Sequence, residues 1–277
     1  MSPLSLGSGA ASVPTEFGQL LEVLGSRPQP ALVWYDGRPA PSGAPSGERV
    51  ELSGRVLQNW AVKLIGLFEA EQDLQPGDEV LVDMTPHWKA AAVLLAVGAM
   101  GARVRVEPQA SAEVARRDEL GGHASGAGDA HGGQKPLVDE DGAPVLPQSG
   151  SAVLVVTDRP EAWLDSEALA DAELAAVSPG MLDASFEEAT GHALPAWVLD
   201  VSAEVRQHPD QLTVRLPEVL LPELSVEPAN PLVISGWGQD TAEAMVGAWA
   251  RGGVVVLFAG EPRGEVWEQM LRNEGLA

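Results

Sequence analysis

Residues 48–106 read ERVELSGRVLQNWAVKLIGLFEAEQDLQPGDEVLVDMTPHWKAAAVLLAVGAMGARVRV, and their pattern predicts helix, turn, strand, helix and strand in that order. Ser53 is a good N-cap for the first helix. It precedes apolar residues spaced for one face of a helix, which we expect to pack in the core. These residues are Val56, Leu57, Trp60, Ala61, Leu64, Ile65 and Phe68.

The rest of this stretch alternates strands with a helix. Pro76-Gly77-Asp78 predicts a tight turn into a strand over residues 79–84, which Thr85-Pro86 ends. Residues 90–100 form an alanine-rich apolar pattern typical of a helix, which Gly101 can end in a left-handed cap before a strand over 102–106. Alternation of this kind predicts an α/β fold, a mostly parallel sheet with helices on both faces.

The same residues resemble the opening of the adenylate-forming, AMP-binding enzymes, which include acyl-CoA synthetases, luciferases and peptide-synthetase adenylation domains. The resemblance lies in residues 48–53 with the helix behind them, in the turn at 75–80, and in residues 96–104. A second match lies at residues 241–258, a helix that passes through Gly252-Gly253 into a valine-rich strand. The chain also resembles short actinobacterial proteins of this pattern. The resemblance implies the fold of part of the N-terminal domain of these enzymes.

The resemblance further implies two elements that the chain lacks. These enzymes hold phosphates with a loop rich in Ser, Thr and Gly that ends in Pro-Lys-Gly, and they use a lysine of a mobile C-terminal domain. Residues 125–128, Ser-Gly-Ala-Gly, imitate the loop without its threonines, and the only lysines are Lys63, Lys89 and Lys135. We therefore expect a truncated, degenerate relative with no catalytic residues and no cofactor, although AMP, ATP or CoA is a conceivable ligand.

Composition limits the partners of the protein. Forty Asp and Glu residues against 17 Lys and Arg give a net charge of −23, which disfavours nucleic acid and anionic membranes and leaves a cationic partner open. No cysteine is present, so disulfides and thiolate metal sites are excluded. The absence of a signal-peptide pattern and of a long apolar run predicts a cytoplasmic protein.

We predict one α/β domain over residues 1–277 with four parts. They are an N-terminal segment and helix (1–29), the block described above (30–106), a mobile low-complexity loop (107–149) and the second half of the sheet (150–277). In the last part we expect strands at 152–156, 196–201 and 232–235, an acidic helix from 160 to 177, and an irregular connection with prolines at 217, 222, 228 and 231.

Few side chains stand out as chemical candidates. His123, Asp129 and His131 could ligate a metal, but they lie in a segment that we expect to be solvated, so no metal site is predicted. His208 and Asp210 flank Pro209 and fit a turn at a helix end better than a catalytic pair.

One cluster is a candidate ligand site. In relatives that select an acid, the loop after the strand matching 232–235 lines the acyl pocket, which implies that Trp237 could supply an apolar wall and Gln239 or Asp240 a polar handle. The alternative is that Asp240 caps the following helix and Trp237 packs against the sheet.

Two classes of function remain open. The first is a non-catalytic module that binds a small molecule, such as a nucleotide or acyl group, or a protein. The second is an enzyme of altered chemistry that acts on an acyl or carboxylate substrate, in one version with a separate chain that supplies the missing parts. An active enzyme should show saturable turnover that Asp240→Ala abolishes.

Overall fold

The computed structural model describes residues 13–39, 46–106, 152–166, 169, 172–181, 183–223 and 228–277. The helices are α1 (Phe17–Gly25), α2 (Gly54–Gln72), α3 (Trp88–Ala99), α4 (Phe186–Thr190), α5 (Val201–Glu204), α6 (Gln239–Ala250) and α7 (Glu265–Asn273). The strands are β1 (Pro30–Asp36), β2 (Arg49–Ser53), β3 (Glu79–Asp83), β4 (Arg103–Val106), β5 (Leu154–Thr157), β6 (Glu173–Ala176), β7 (Leu199–Asp200), β8 (Leu232–Ile234) and β9 (Val255–Ala259).

The strands lie in two sheets, where the sequence led us to expect one. The first sheet has the order β2-β1-β9-β8, and the second has the order β4-β3-β5-β6-β7. All neighbouring strands run parallel except the β1–β2 pair. In the first sheet β9 lies between β1 and β8, in a register that places Trp34 opposite Leu257. The prediction of a mostly parallel α/β fold with helices on both faces is confirmed.

A layer of helices lies between the two sheets. Every residue of α3 is buried, and α3 contacts both β1 of the first sheet and β3 of the second. The largest core cluster accordingly contains residues of both sheets and of the helices between them. Each outer face has its own apolar cluster, around Met270 of α7 on the first sheet and around Trp163 and Phe186 on the second. Helices and sheets therefore alternate through the molecule.

Several local predictions are confirmed. The Ser53 side chain accepts a hydrogen bond from the Val56 backbone nitrogen (3.2 Å), as an N-cap residue should. Gly101 has a φ of +81°, the left-handed conformation expected after the alanine-rich helix. Strands β3, β4, β5, β8 and β9 lie within one to three residues of their predicted bounds. Val56 is the exception in the apolar stripe, because it is 39% exposed.

The acidic helix predicted for residues 160–177 is wrong. The structure has a short 3-10 helix at Pro160–Ala162, and residues 173–176 form β6, which pairs with β5. Leu174, Ala175 and Ala176 are completely buried in this strand. Pairing with β5 and burial on both faces therefore override the helical preference of the alanines.

The strand predicted for residues 196–201 is shorter than expected. It consists of Leu199 and Asp200 alone, because the Asp200 carboxylate accepts hydrogen bonds from the backbone nitrogens of Ser202 and Ala203 and begins α5. The predicted loop at 107–149, including residues 125–128, Lys135 and the trio His123, Asp129 and His131, lies outside the described residues.

Candidate functional site

The carboxyl ends of the parallel strands bring several polar side chains together. Asp36 ends β1, while Asp83 ends β3 beside Thr157 at the end of β5. In open parallel sheets, ligands bind in the crevice outside this edge, because the loops that follow the strands diverge there. This edge is therefore the first place to search for a site.

Asp83 organises the second sheet's part of the edge. Its side chain is 5% exposed and accepts hydrogen bonds from Arg159 Nη2 (2.8 Å), Trp163 Nε1 (2.8 Å) and Thr157 Oγ1 (3.4 Å). A buried carboxylate of this kind is stable only when its charge is paired and its oxygens are hydrogen-bonded. Asp83 therefore holds the loop after β5 in place and is already saturated with donors.

A second group of polar side chains joins the two sheets. Arg38 donates from Nε and Nη2 to the two oxygens of Asp36 (2.8 and 3.1 Å), and from Nη1 to Thr85 Oγ1 (3.4 Å). Thr85 donates from its backbone nitrogen and its hydroxyl to Asp158 Oδ2 (3.2 and 2.7 Å). The hydrogen bonds with Asp36 raise the pKa of Arg38 above its usual value. The remaining oxygen, Asp158 Oδ1, is buried and makes no hydrogen bond within the described part of the chain.

A cleft opens beside Asp158. Its volume is about 540 Å³, which lies within the roughly 300–1,000 Å³ typical of small-molecule sites. Six residues supply most of its apolar wall: Pro160, Leu164, Phe186, Ala193, Leu194 and Pro195. Its polar lining comes from Asp158, Glu161, Thr190 and His192. The cleft combines a large apolar surface with carboxylates, and the described part of the chain contributes no lysine or arginine to its lining.

The three residues predicted to bind a ligand do not line this cleft. Trp237 is 7% exposed and belongs to the large core cluster, Gln239 is exposed and lies within 3.4 Å of Glu243, and Asp240 is exposed in the first turn of α6. The cap of α6 is Gly238, whose backbone exchanges hydrogen bonds with the Thr241 side chain, so Asp240 is not the cap residue. A ligand role for these three residues stays a prediction.

The other sequence candidates either have structural roles or lie outside the described residues. His208 ends a 3-10 helix at Val205–Gln207, and Asp210 pairs with Lys63 (2.8 Å), in agreement with a turn rather than a catalytic pair. Within the described ranges, no group of three or more His, Asp and Glu side chains could hold a metal ion. None of the helices described is both long and apolar enough to cross a membrane.

Sequence reasoning missed the residues of the carboxyl edge. Asp83, Thr85 and Asp158 carry no motif, and three residues of the cleft wall, Pro160, Glu161 and Leu164, lie in the segment predicted as a helix. A usable signal was nevertheless present, because polar residues directly follow the buried strands at Asp83, Thr157 and Asp158. Strand ends of this kind converge on one edge of a parallel sheet.

Comparison with known proteins agrees with the fold. No protein-family model matches the chain. A Mycobacterium tuberculosis protein that bears a family name without a stated activity is 36% identical over 74 residues, which are 27% of this chain and 28% of that protein. The similarity in sequence is therefore confined to a short segment.

Solved structures extend the likeness to most of the chain. An acyl-CoA synthetase of Brucella canis has a TM-score of 0.56 and 14% identity, over 90% of this chain and 44% of the synthetase. The acetoacetyl-CoA synthetase of Streptomyces lividans has a TM-score of 0.56 and 14% identity, over 89% of this chain and 38% of that chain. The N-terminal subdomain of Klebsiella oxytoca NpsA, in complex with 3-hydroxybenzoyl-AMSN, has a TM-score of 0.53 and 11% identity, over 97% of this chain and 60% of that chain.

These likenesses confirm the resemblance to adenylate-forming enzymes at the level of the fold. The chain spans less than two thirds of the length of each of these proteins. At 11–14% identity, the structures show a shared architecture and carry no information about the reaction.

Proposed function

We propose that the chain is a non-catalytic binding module that keeps the adenylate-forming fold and takes a small organic molecule in the cleft beside Asp158. The observation that carries this proposal is the cleft itself, about 540 Å³ of largely apolar space at the carboxyl edge of the second sheet. A pocket of this size, with a few polar groups on its wall, is the usual form of a small-molecule site.

The electrostatics of the cleft favour particular ligands. Asp158 and Glu161 contribute carboxylates to the wall, and the whole chain has a net charge of −23. Phosphates would be repelled there, because the described lining contains no cationic side chain to neutralise them. Leu164 and Phe186 offer apolar contact instead. We therefore expect uncharged or positively charged molecules with an apolar body to bind better than AMP, ATP or CoA.

The neighbouring charged groups support binding rather than ligation. At the carboxyl edge of the sheets, Asp83 pairs with Arg159 and Asp36 pairs with Arg38. Reactions of acyl phosphates need a cation that stabilises developing negative charge. The two arginines are already engaged with carboxylates, and the sequence has no lysine after residue 135.

A thermal-shift panel tests the proposal. It compares 2-phenylethylamine and 2-phenylethanol with AMP, CoA, acyl-CoAs and free carboxylates. A ligand at about 100 times its Kd should stabilise the fold by roughly 2.7 kcal/mol, which is about 5 °C in Tm for a chain of this size. We expect a shift with the amine or the alcohol and none with AMP.

Two variants serve as the control, one with a tryptophan inside the cleft and one with a tryptophan outside it. Ala193 is exposed on the cleft wall, so Ala193→Trp should fill the space and remove the shift. Ala70 is exposed near the end of α2 and away from the cleft, so Ala70→Trp should retain it. A shift that survives Ala193→Trp would reject the cleft as the site, whereas no shift with any compound would favour a protein partner.

An enzyme of altered chemistry on an acyl or carboxylate substrate is the second candidate. The observation that favours it concerns Trp237, which lies three residues before Asp240 in the sequence. The indole nitrogen of Trp237 is buried and has no hydrogen-bond partner in the described part of the chain. A substrate oxygen could accept that hydrogen bond. This candidate predicts saturable turnover of a carboxylic acid that Asp240→Ala abolishes, whereas the matched change Glu243→Ala leaves turnover intact.

A further inference from the structure

A buried lysine lies in the second sheet's half of the molecule, away from the cleft. Lys89 is the second residue of α3 and is 6% exposed. Its Nζ donates to the Ser178 carbonyl oxygen (2.8 Å) and contacts Ser178 Oγ (3.1 Å). No carboxylate of the described residues lies within 4 Å of Nζ, so neutral oxygens alone hold the amine. Such a site penalises the ammonium form, because burial removes water and no carboxylate of the described residues contacts the amine in its place.

Two hydroxyls connect this amine to a cavity. Ser178 Oγ lies 2.6 Å from Ser202 Oγ, which is a short and buried hydrogen bond. Lys89 and Ser202 both line the adjacent cavity. A proton that leaves Nζ can therefore pass along Ser178 and Ser202 towards the cavity without leaving the hydrogen-bonded chain.

The cavity itself is largely apolar, and Trp60 forms part of its wall. Besides Lys89 and Ser202, its wall is formed by aromatic and aliphatic side chains, and its free space of about 10 Å³ holds about one water. Trp60 also lines an outer groove of about 270 Å³, together with Val56, Asn59, Lys63, Arg206 and Asp210. Trp60 is therefore the residue that the cavity and the groove share, and we expect its displacement to join them.

The charges around Lys89 also make its amine reactive. The pKa of Lys89 is lowered to about 8, chiefly by burial and in part by the charge of Arg206, while Asp183 and Asp200 oppose the shift. A pKa near 8 leaves about one amine in ten uncharged at pH 7, against about one in 2,500 for an ordinary lysine. Neutral lysines in apolar surroundings are the ones that act as nucleophiles towards carbonyl groups.

We propose that Lys89 is a nucleophilic amine that forms an imine with a small aldehyde or ketone admitted past Trp60. The amine lone pair attacks the carbonyl carbon, the C=O electron pair moves onto oxygen, and one of the two nitrogen protons is transferred to that oxygen to give a carbinolamine. The second nitrogen proton then passes through Ser178 and Ser202 to the hydroxyl, which leaves as water while the nitrogen lone pair forms the C=N bond of a neutral imine. The step consumes one amine and one carbonyl compound and releases one water, so it needs no oxidant or reductant.

Reductive trapping tests this assignment, and the small number of lysines makes the readout simple. The full chain is incubated with propanal and cyanoborohydride, and peptide mass spectrometry compares labelling at Lys89, Lys63 and Lys135. At pH 7 we expect Lys89 to be labelled at least tenfold faster than the other two, with a rate that rises to a midpoint near pH 8. In guanidinium chloride the three rates should become equal.

Variants of two tryptophans test the route of entry. Trp60→Ala should accelerate labelling of Lys89 and leave Lys63 and Lys135 unchanged. Trp197→Ala is the matched control, because Trp197 is 52% exposed and lines neither space. Labelling of Lys89 no faster than that of Lys63 in both the native chain and Trp60→Ala would overturn the proposal. Equal acceleration of all three lysines in Trp60→Ala would indicate unfolding and would also count against it.

Discussion

His87 shows how one buried side chain couples the fold to pH. Its ring is 3% exposed and packs against Trp34, with ring centroids 4.4 Å apart. Nδ1 accepts a hydrogen bond from the Lys89 backbone nitrogen (3.1 Å), so His87 also caps α3. The pKa of His87 is lowered to about 3, chiefly by burial and in part by the charges of Lys89 and Arg38. The ring is therefore neutral in the folded protein at physiological pH.

The lowered pKa predicts a loss of stability in acid. Between pH 6.5 and pH 3 the unfolded chain binds a proton at His87 that the folded chain does not, so the free energy of unfolding falls as pH falls. From pH 7 to pH 5 the loss should be about 2 kcal/mol, at roughly 1.4 kcal/mol per pH unit below 6.5. Urea denaturation at each pH measures it.

The substitution His87→Asn separates the titration of this side chain from its role as the cap of α3. Asn is a good N-cap and does not titrate, so His87→Asn should flatten the pH dependence between 7 and 5 while it keeps the start of α3. His192→Asn, at an exposed histidine, should leave the dependence as it is. An identical slope in the wild type and in His87→Asn would show that another group causes the loss.

At the scale of elements, α3 explains why its segment is rich in alanine. The helix lies between two sheets and is buried all round, so large side chains would not fit on every face. At Gly98 the helix α3 comes very close to α1, because a Cβ built there would lie 2.5 Å from the Phe17 ring. The small residues of this helix therefore set how closely α1 and α3 pack.

Glycine-to-alanine changes in two helices test this packing. Gly98→Ala should destabilise the fold by about 1–3 kcal/mol, the usual cost of overpacking, because Phe17 must move. Gly18→Ala in α1 has open space around the new Cβ and should stabilise by roughly 0.5–1 kcal/mol. Chemical denaturation measures both, and a stabilised Gly98→Ala would contradict the close approach.

At the scale of the whole molecule, the two sheets share one core. The largest apolar cluster includes Trp34 of the first sheet, Val82 of the second and Leu95 of the helix between them. Arg38 and Thr85 add a polar link at the carboxyl edge. A disturbance of the helical layer should therefore reach both sheets.

Hydrogen exchange measures this coupling. Leu95 is completely buried, so Leu95→Ala should cost about 2–5 kcal/mol of unfolding free energy. Amides of β1 and of β3 should lose the same amount of protection against exchange, since neither sheet keeps a complete core without α3. Loss of protection in one sheet alone would show that the two sheets unfold separately.

The sequence by itself determined the local elements and the class of fold. The cap at Ser53, the turn before β3, the left-handed Gly101 and the valine-rich β9 follow from backbone preferences and apolar periodicity, which act over a few residues. Tertiary structure decided the rest. The separation into two sheets, the conversion of residues 173–176 into a strand, and the meeting of Arg38, Thr85 and Asp158 depend on pairing between segments far apart in the chain. Such pairing is set by burial and by hydrogen bonds across the core, which local propensity does not encode.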